Sequence, residues 1–373
     1  MENNQHDPNQ DIQPSQEPFM KTMEPKKSRT KLVVFIVSLI IVLGIIGSFL
    51  LMRSNSQPLQ SVETQPDSQT ISTQLEEIST LSTSELKLDE TKNYGNKYAN
   101  GILPVGDSKY VTDGPKAGYI YTCRAPQAQG AGAGTRGPWF TNNNTEYDMN
   151  KKAKVAGDVS WESSYSMKID GASRIIATND LPNNHTTGTF PIQQNDPAYT
   201  YDRNPNSIGA QSLTYTLTAY PAVASPACIG GEVGIMNTGV ALFSGFDAGG
   251  RDAGAWEVQD SCGGHPQNTK VYHYHSLSAC IQDTSVKTVI GYALDGFPIT
   301  GPKISDNNIL TTSDLDECHG ITSEITLDGK NVISYHYVMT QDFPYSVSCY
   351  KATAALRPNQ PQGGQQVRQN LQR

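Results

Sequence analysis

Val271-Tyr272-His273-Tyr274-His275 is the stretch of this sequence best suited to chemistry. Tyrosine and β-branched residues favour a strand. Side chains alternate along a strand, so His273 and His275 fall on one face and Tyr272 and Tyr274 on the other. Two imidazoles roughly 7 Å apart at the backbone can converge on one metal ion, each bonding through a ring nitrogen at about 2.0–2.1 Å. The alternative is a half-buried strand whose histidines donate to backbone carbonyls. Upstream, Cys262-Gly263-Gly264-His265-Pro266 has glycines that let the backbone turn sharply. Such a turn brings His265 back toward the pair, and three imidazoles make up an open metal site. Glu257 and Asp260 are candidate acceptors for the outer N–H groups of those imidazoles.

A second Tyr-His-Tyr occurs at Ser334-Tyr335-His336-Tyr337-Val338, again followed by a cysteine, Cys349. The echo suggests a neighbouring or pseudo-symmetric strand, with His336 as a possible fourth ligand. Val338 stands where His275 stood. Asp295-Gly296 is a strong turn signal. Asp295 is therefore first a turn residue, and only as an alternative an acid near the site. Ser313 to Gly320 reads as a short helical turn, with Ser313 as its cap and His319 near its end.

The elements that must hold these residues are mostly strands. Ser212 to Thr218 alternates cleanly, with apolar side chains on odd positions. Gly118–Cys123, Lys154–Trp161, Ser166–Ile169, Gly239–Phe243 and Thr288–Leu294 also read as strands, and Cys228–Met236 as a turn that continues into one. No segment before residue 260 has sustained helical periodicity. Only 36% of the chain is hydrophobic and 17% charged, with 32 Gly and 22 Pro. That mix fits a mainly β, loop-rich, sandwich-like domain with long polar flanks. The six cysteines, Cys123, Cys228, Cys262, Cys280, Cys318 and Cys349, lie inside this domain and form no C-x-x-C pair. They read as three disulfides of a protein in an oxidising compartment; six cysteines allow 15 connectivities.

The N-terminus indicates that compartment. Residues 1–31 are polar and read as a disordered cytoplasmic tail. Residues 32–52 carry no charge and as a helix would span about 31 Å, the thickness of a bilayer core. Five lysine and arginine residues precede the run closely, which places the N-terminus in the cytoplasm and the rest outside the cell membrane, as a single-pass protein. A cleaved signal peptide fits less well, because the run is too long and no A-x-A site follows. Residues 53–112 read as a flexible linker, 113–356 as the folded domain and 357–373 as a disordered tail. The net charge of -8 argues against nucleic acid as a partner.

Taken together, the sequence resembles the YHYH domain family. The resemblance rests on Tyr272-His273-Tyr274-His275, Cys262-Gly263-Gly264-His265-Pro266, the run Leu294 to Pro302, Leu315 to Gly320 and Phe343-Pro344-Tyr345. It extends loosely over about residues 115–350. It implies a secreted or surface domain of largely β character and supplies no reaction. Three functions compete on the residues. One is a domain that binds zinc or copper through His265, His273 and His275. Another is a disulfide-stapled surface binding or adhesion module without metal. The third is a metal-dependent hydrolase or oxidoreductase with Glu257, Asp260 or Asp295 as base. No H-E-x-x-H, G-x-S-x-G or P-loop supports the enzyme reading.

Overall fold

Strict alternation along Leu213–Thr218 buries Leu213, Tyr215 and Leu217 and exposes the three threonines between them. This strand pairs antiparallel with Ser173–Thr178, which pairs antiparallel with Tyr165–Asp170, giving a three-stranded sheet. A computed structural model describes residues 85–127 and 134–358. The tail 1–31, the apolar run 32–52, linker residues 53–84 and tail residues 359–373 lie outside the described residues.

The main sheet has eight strands. Their spatial order is Gly264–Pro266, Tyr272–Tyr274, Ala241–Phe243, Glu232–Met236, Val289–Ala293, Pro298–Thr300, Lys330–Val338 and Gly320–Leu327. Neighbours run antiparallel except at two places, where Ala241–Phe243 meets Tyr272–Tyr274 and Pro298–Thr300 meets Lys330–Val338. Ile176, Tyr215 and Leu217 of the small sheet share one buried cluster with Val233, Ile235, Tyr292 and Phe297 of the large one. Helix among the described residues is confined to Ala253–Trp256 and three short 3-10 turns. The described residues are mainly β, as their patterning predicts.

An ion pair with one buried partner ties the two sheets together. Arg174, on Ser173–Thr178, is fully buried. Its guanidinium donates to both carboxylate oxygens of Asp328, at 2.7 and 2.8 Å, and lies 4.1 Å above the Tyr292 ring. Asp328 sits in the turn between the last two strands. The disulfides are Cys123–Cys228, Cys262–Cys280 and Cys318–Cys349, and no cysteine is free.

The outer edges of the large sheet are occupied. Along Gly320–Leu327, Leu88 N–H donates to Thr322 O (3.0 Å), Thr322 N–H to Leu86 O (2.8 Å) and Thr326 N–H to Lys287 O (2.8 Å). At the opposite edge, Pro266 O accepts from Asn204 Nδ2 at 2.9 Å.

The structure differs from the sequence reading in three places. Residues 85–112, read as linker, include a packed stretch: Leu103 is buried with Trp139 and Tyr147, and Ile102–Pro104 pairs with Glu146–Asp148. Leu103 is their one fully buried apolar side chain and Leu86 stays 43% exposed, so they leave no periodic trace. Lys154–Trp161 forms no strand, only isolated bridges at Val155 and Val159, because Gly157 breaks the extension at φ +136°. The turn after residue 310 is capped by Thr311, not Ser313: Thr311 N–H and Oγ1–H both donate to Asp314 Oδ2. It ends after Asp314, and Gly320 opens a strand.

Candidate functional site

Gly264–Pro266 and Tyr272–Tyr274 form an antiparallel hairpin in which His265 stands directly opposite His273. Opposed residues in such a pair share a face of the sheet. His275 lies one position past the strand and keeps the alternation. The ring centroids are 4.5 Å apart for His265 and His273, 4.8 Å for His273 and His275, and 5.4 Å for His265 and His275. The glycine turn expected from the sequence immediately precedes His265 and brings it back to the pair.

Asp260 holds that turn. Its Oδ1 accepts the Cys262 N–H at 3.0 Å and the Gly264 N–H at 3.2 Å, and its Oδ2 accepts the Tyr272 hydroxyl at 2.8 Å. Gly263 sits at φ +79°, a backbone region that favours glycine. A Cβ on Gly264 would lie 2.2 Å from the Tyr272 ring. The glycines therefore allow the close approach that lines up the histidines.

Backbone carbonyls fix two of the tautomers. A carbonyl only accepts, so the imidazole nitrogen beside it carries the proton. His275 Nδ1 donates to Ser244 O at 2.6 Å, and His273 Nδ1 to Val271 O at 3.3 Å. In the neutral rings both Nε2 atoms then present lone pairs, and they lie 3.1 Å apart. Two such lone pairs repel unless a proton or a cation sits between them.

Glu257 enters the same space. Its Oε2 is 3.3 Å from His265 Nε2 and 3.2 Å from His275 Nε2. Neither approach has the alignment of a hydrogen bond. Oε2 and both ring nitrogens of His265 are buried without a hydrogen-bond partner. All three imidazoles are 5% exposed or less, so solvent does little to satisfy these atoms.

Burial disfavours a charged His265, but the Glu257 carboxylate outweighs it and raises the imidazole above its ordinary value. Burial also opposes ionisation of Glu257. The charge of His265 beside it overrides this and holds the carboxyl well below the usual range. His273 is pushed well below the ordinary value by burial, and next by the charges of His265 and His275.

A cavity of about 810 Å³ opens onto His265, His273, His275 and Glu257. Phe243 lies against His273, its ring centroid 4.2 Å away. Asp202, also on the wall, is buried and accepts the Val258 and Asn204 N–H groups. Its charge bears on His265. Nothing in the sequence around Asp202 singles it out.

Residues 214–310 match the family model described as YHYH protein. These residues are a YHYH domain. The match contains Glu257, His265, His273 and His275, and is narrower than the stretch of about residues 115–350 over which the sequence shows resemblance. No curated protein and no solved structure matches the chain.

Three residues singled out in the sequence lie away from the YHYH histidines. His336 is not brought to them: its Nδ1 meets Thr300 Oγ1 at 2.9 Å and its Nε2 meets Ser323 Oγ at 2.8 Å. It is a satisfied core residue, and burial lowers it to about 4. Asp260 faces Tyr272, on the other side of the YHYH strand, and acts on the site only through the loop. Asp295 accepts the Tyr337 hydroxyl at 2.6 Å and the Lys351 N–H at 2.9 Å, which fixes the turn that Gly296 completes at φ +92°. Glu257, read as an outer acceptor, lies among the imidazole nitrogens themselves.

Proposed function

We propose that this chain is a membrane-anchored domain on the outer side of the cell membrane. In this reading its YHYH strand binds one transition-metal ion, zinc or copper, through His265, His273 and His275, with Glu257 as a fourth donor. The observation that supports this is the spacing of the donor atoms. Tetrahedral bonds of about 2.0 Å put neighbouring ligand atoms about 3.3 Å apart. Three contacts in the cluster measure 3.1, 3.3 and 3.2 Å. Imidazole suits both ions, and copper binds such sites more tightly as a rule. Three neutral imidazoles and one carboxylate leave a divalent cation with a single net positive charge, which a buried site tolerates better than two.

The test is elemental analysis of the purified protein beside the His273→Ala/His275→Ala variant. One equivalent of metal in the first and none in the second is the expected result. Equal metal in both ends the proposal and leaves a disulfide-stapled binding module.

The cavity supports a second reading, a metal-dependent hydrolase or oxidoreductase. There Glu257, the acid nearest the imidazoles, would serve as base, and a small molecule would enter beside Phe243. Spectra of the cobalt-substituted protein separate the two. An invariant four-donor spectrum favours metal holding, and a spectrum that responds to small anions favours an open position.

A further inference from the structure

The order of strands in the large sheet reads the same from both ends when its two halves are exchanged. Glu232–Met236 and Val289–Ala293 pair at the centre, with Ile235 opposite Tyr292, Met236 opposite Gly291 and Gly234 opposite Ala293. Outward from the centre, Gly234 pairs with Leu242 and Gly291 with Ile299. Leu242 then pairs in parallel with Tyr274, and Ile299 in parallel with Tyr337. Last, Gly264 pairs with Tyr274 and Gly320 with Tyr337. Each half runs through the same four strands in the same register, about a pseudo-twofold axis at Ile235 and Tyr292.

Side chains follow the same rule. Asp316 Oδ1 accepts from Cys318 N–H at 3.0 Å, Gly320 N–H at 2.8 Å and the Tyr335 hydroxyl at 3.2 Å. Asp260 accepts from the equivalent three groups, Cys262 and Gly264 on Oδ1 and Tyr272 on Oδ2. Gly239 and Gly296 turn the equivalent hairpins at φ +86° and +92°. Gly263 and His319 occupy equivalent positions at φ +79° and +72°. A Cβ on Gly320 would meet the Tyr335 hydroxyl at 2.1 Å, as one on Gly264 would meet Tyr272.

We infer that the large sheet consists of two copies of one four-stranded unit, and that only the first copy keeps a ligand-binding face. His273 corresponds to His336, His265 to Ile321 and His275 to Val338. In the second unit that face is closed by hydrocarbon, where Val286, Leu310 and Leu315 pack with Ile321 and Val338. The shared aspartate, cysteine, glycine and tyrosines are the scaffold. His265 and His275 are what distinguish a metal-binding unit from a purely structural one. This last point rests on the metal reading, whereas the duplication does not.

The test gives the first unit the residues of the second, His265→Ile with His275→Val, and adds Glu257→Gln so that no buried carboxylate is left beside missing imidazoles, in the full chain with zinc as probe. The expected variant has an unchanged far-UV spectrum, and with chelator present its melting temperature lies within about 4 °C of the wild type's, a shift of roughly 1 kcal/mol in a domain this large. Bound zinc falls from one equivalent to none. A variant that fails to fold, or melts far lower, shows that the units are not interchangeable and overturns the inference. Asp260→Asn and Asp316→Asn form the second arm. Similar drops in melting temperature, with zinc lost only in the first, support the duplication, and drops differing several-fold count against it. A wild type that binds no zinc removes the metal reading and leaves both melting comparisons to judge the duplication.

Discussion

Removing two of the four donors, in His273→Ala/His275→Ala, should weaken zinc binding by a factor that follows from the geometry of the site. Four-donor zinc sites bind with about 10–16 kcal/mol at neutral pH. Divided evenly, each donor supplies about 2.5–4 kcal/mol, so losing two costs about 5–8 kcal/mol. At 1.4 kcal/mol per decade that is a loss of roughly four to six orders of magnitude in affinity. The remaining donors, His265 Nε2 and Glu257 Oε2, are 3.3 Å apart and still offer a weak two-point site, so the residual affinity should be micromolar or poorer. Competition against a chromophoric chelator at pH 7.5 measures the change, and metal content after dialysis checks it. Melting gives an independent reading. A ligand at a thousand times its Kd adds about 4 kcal/mol, so chelator should lower the wild-type melting temperature by roughly 8–16 °C and leave the variant nearly unmoved. A loss of less than tenfold, or a wild type indifferent to chelator, would show that the imidazoles meet for packing alone.

Four shorter predictions complete the set. Acidification should release the metal: binding needs a neutral His265, its raised pKa lets protons compete from above pH 6.5, and affinity should fall steadily as pH drops through that region. A titration in which affinity stays flat down to pH 5 would contradict this. His336→Ala should leave metal content unchanged and lower stability by about 2–4 kcal/mol, since it strands Thr300 and Ser323 and opens a cavity; chemical denaturation with chelator present reads it. Asp328→Asn should cost about 3 kcal/mol by leaving the guanidinium of Arg174 buried and unpaired, and no change in denaturation midpoint would refute the clamp between sheets. Alkylation of the unreduced protein should modify no cysteine, and replacing Cys262 and Cys280 together by serine should cost about 3 kcal/mol, the loop entropy expected for their separation of 18 residues.

Much of the fold was legible because its clearest strands carry period-two patterns. Leu213–Thr218 appears in the structure one residue shorter than it reads in the sequence. His273 and His275 share a face because alternation leaves no other choice. Gly320–Leu327 was not legible: its polar residues Thr322 and Ser323 are buried along with its apolar ones, so both faces are covered and no alternation shows. The position of His265 depended on a loop whose geometry is set by Asp260 and a close glycine–tyrosine contact, neither of which is periodic. Glu257 lies eight residues before His265, at the end of a four-residue helix too short to leave a pattern. Its place among the imidazoles is a tertiary fact. The similarity of His336 to His273 was legible, but its different role was not, because that role depends on Thr300 and Ser323 reaching it from two other strands.

The occupied rims of the large sheet bear on how copies of this molecule behave at high local density. A bare rim would offer a row of unpaired amides and carbonyls on which a neighbour could extend the sheet, the usual first step toward fibrous deposits. Here the segment around Leu86 and Leu88, together with Lys287, takes up hydrogen bonds along one rim, and the Asn204 amide caps a carbonyl on the other. Trimming the chain before residue 89 should therefore matter less for the YHYH histidines than for colloidal behaviour, leaving a domain that folds and binds yet sticks to itself.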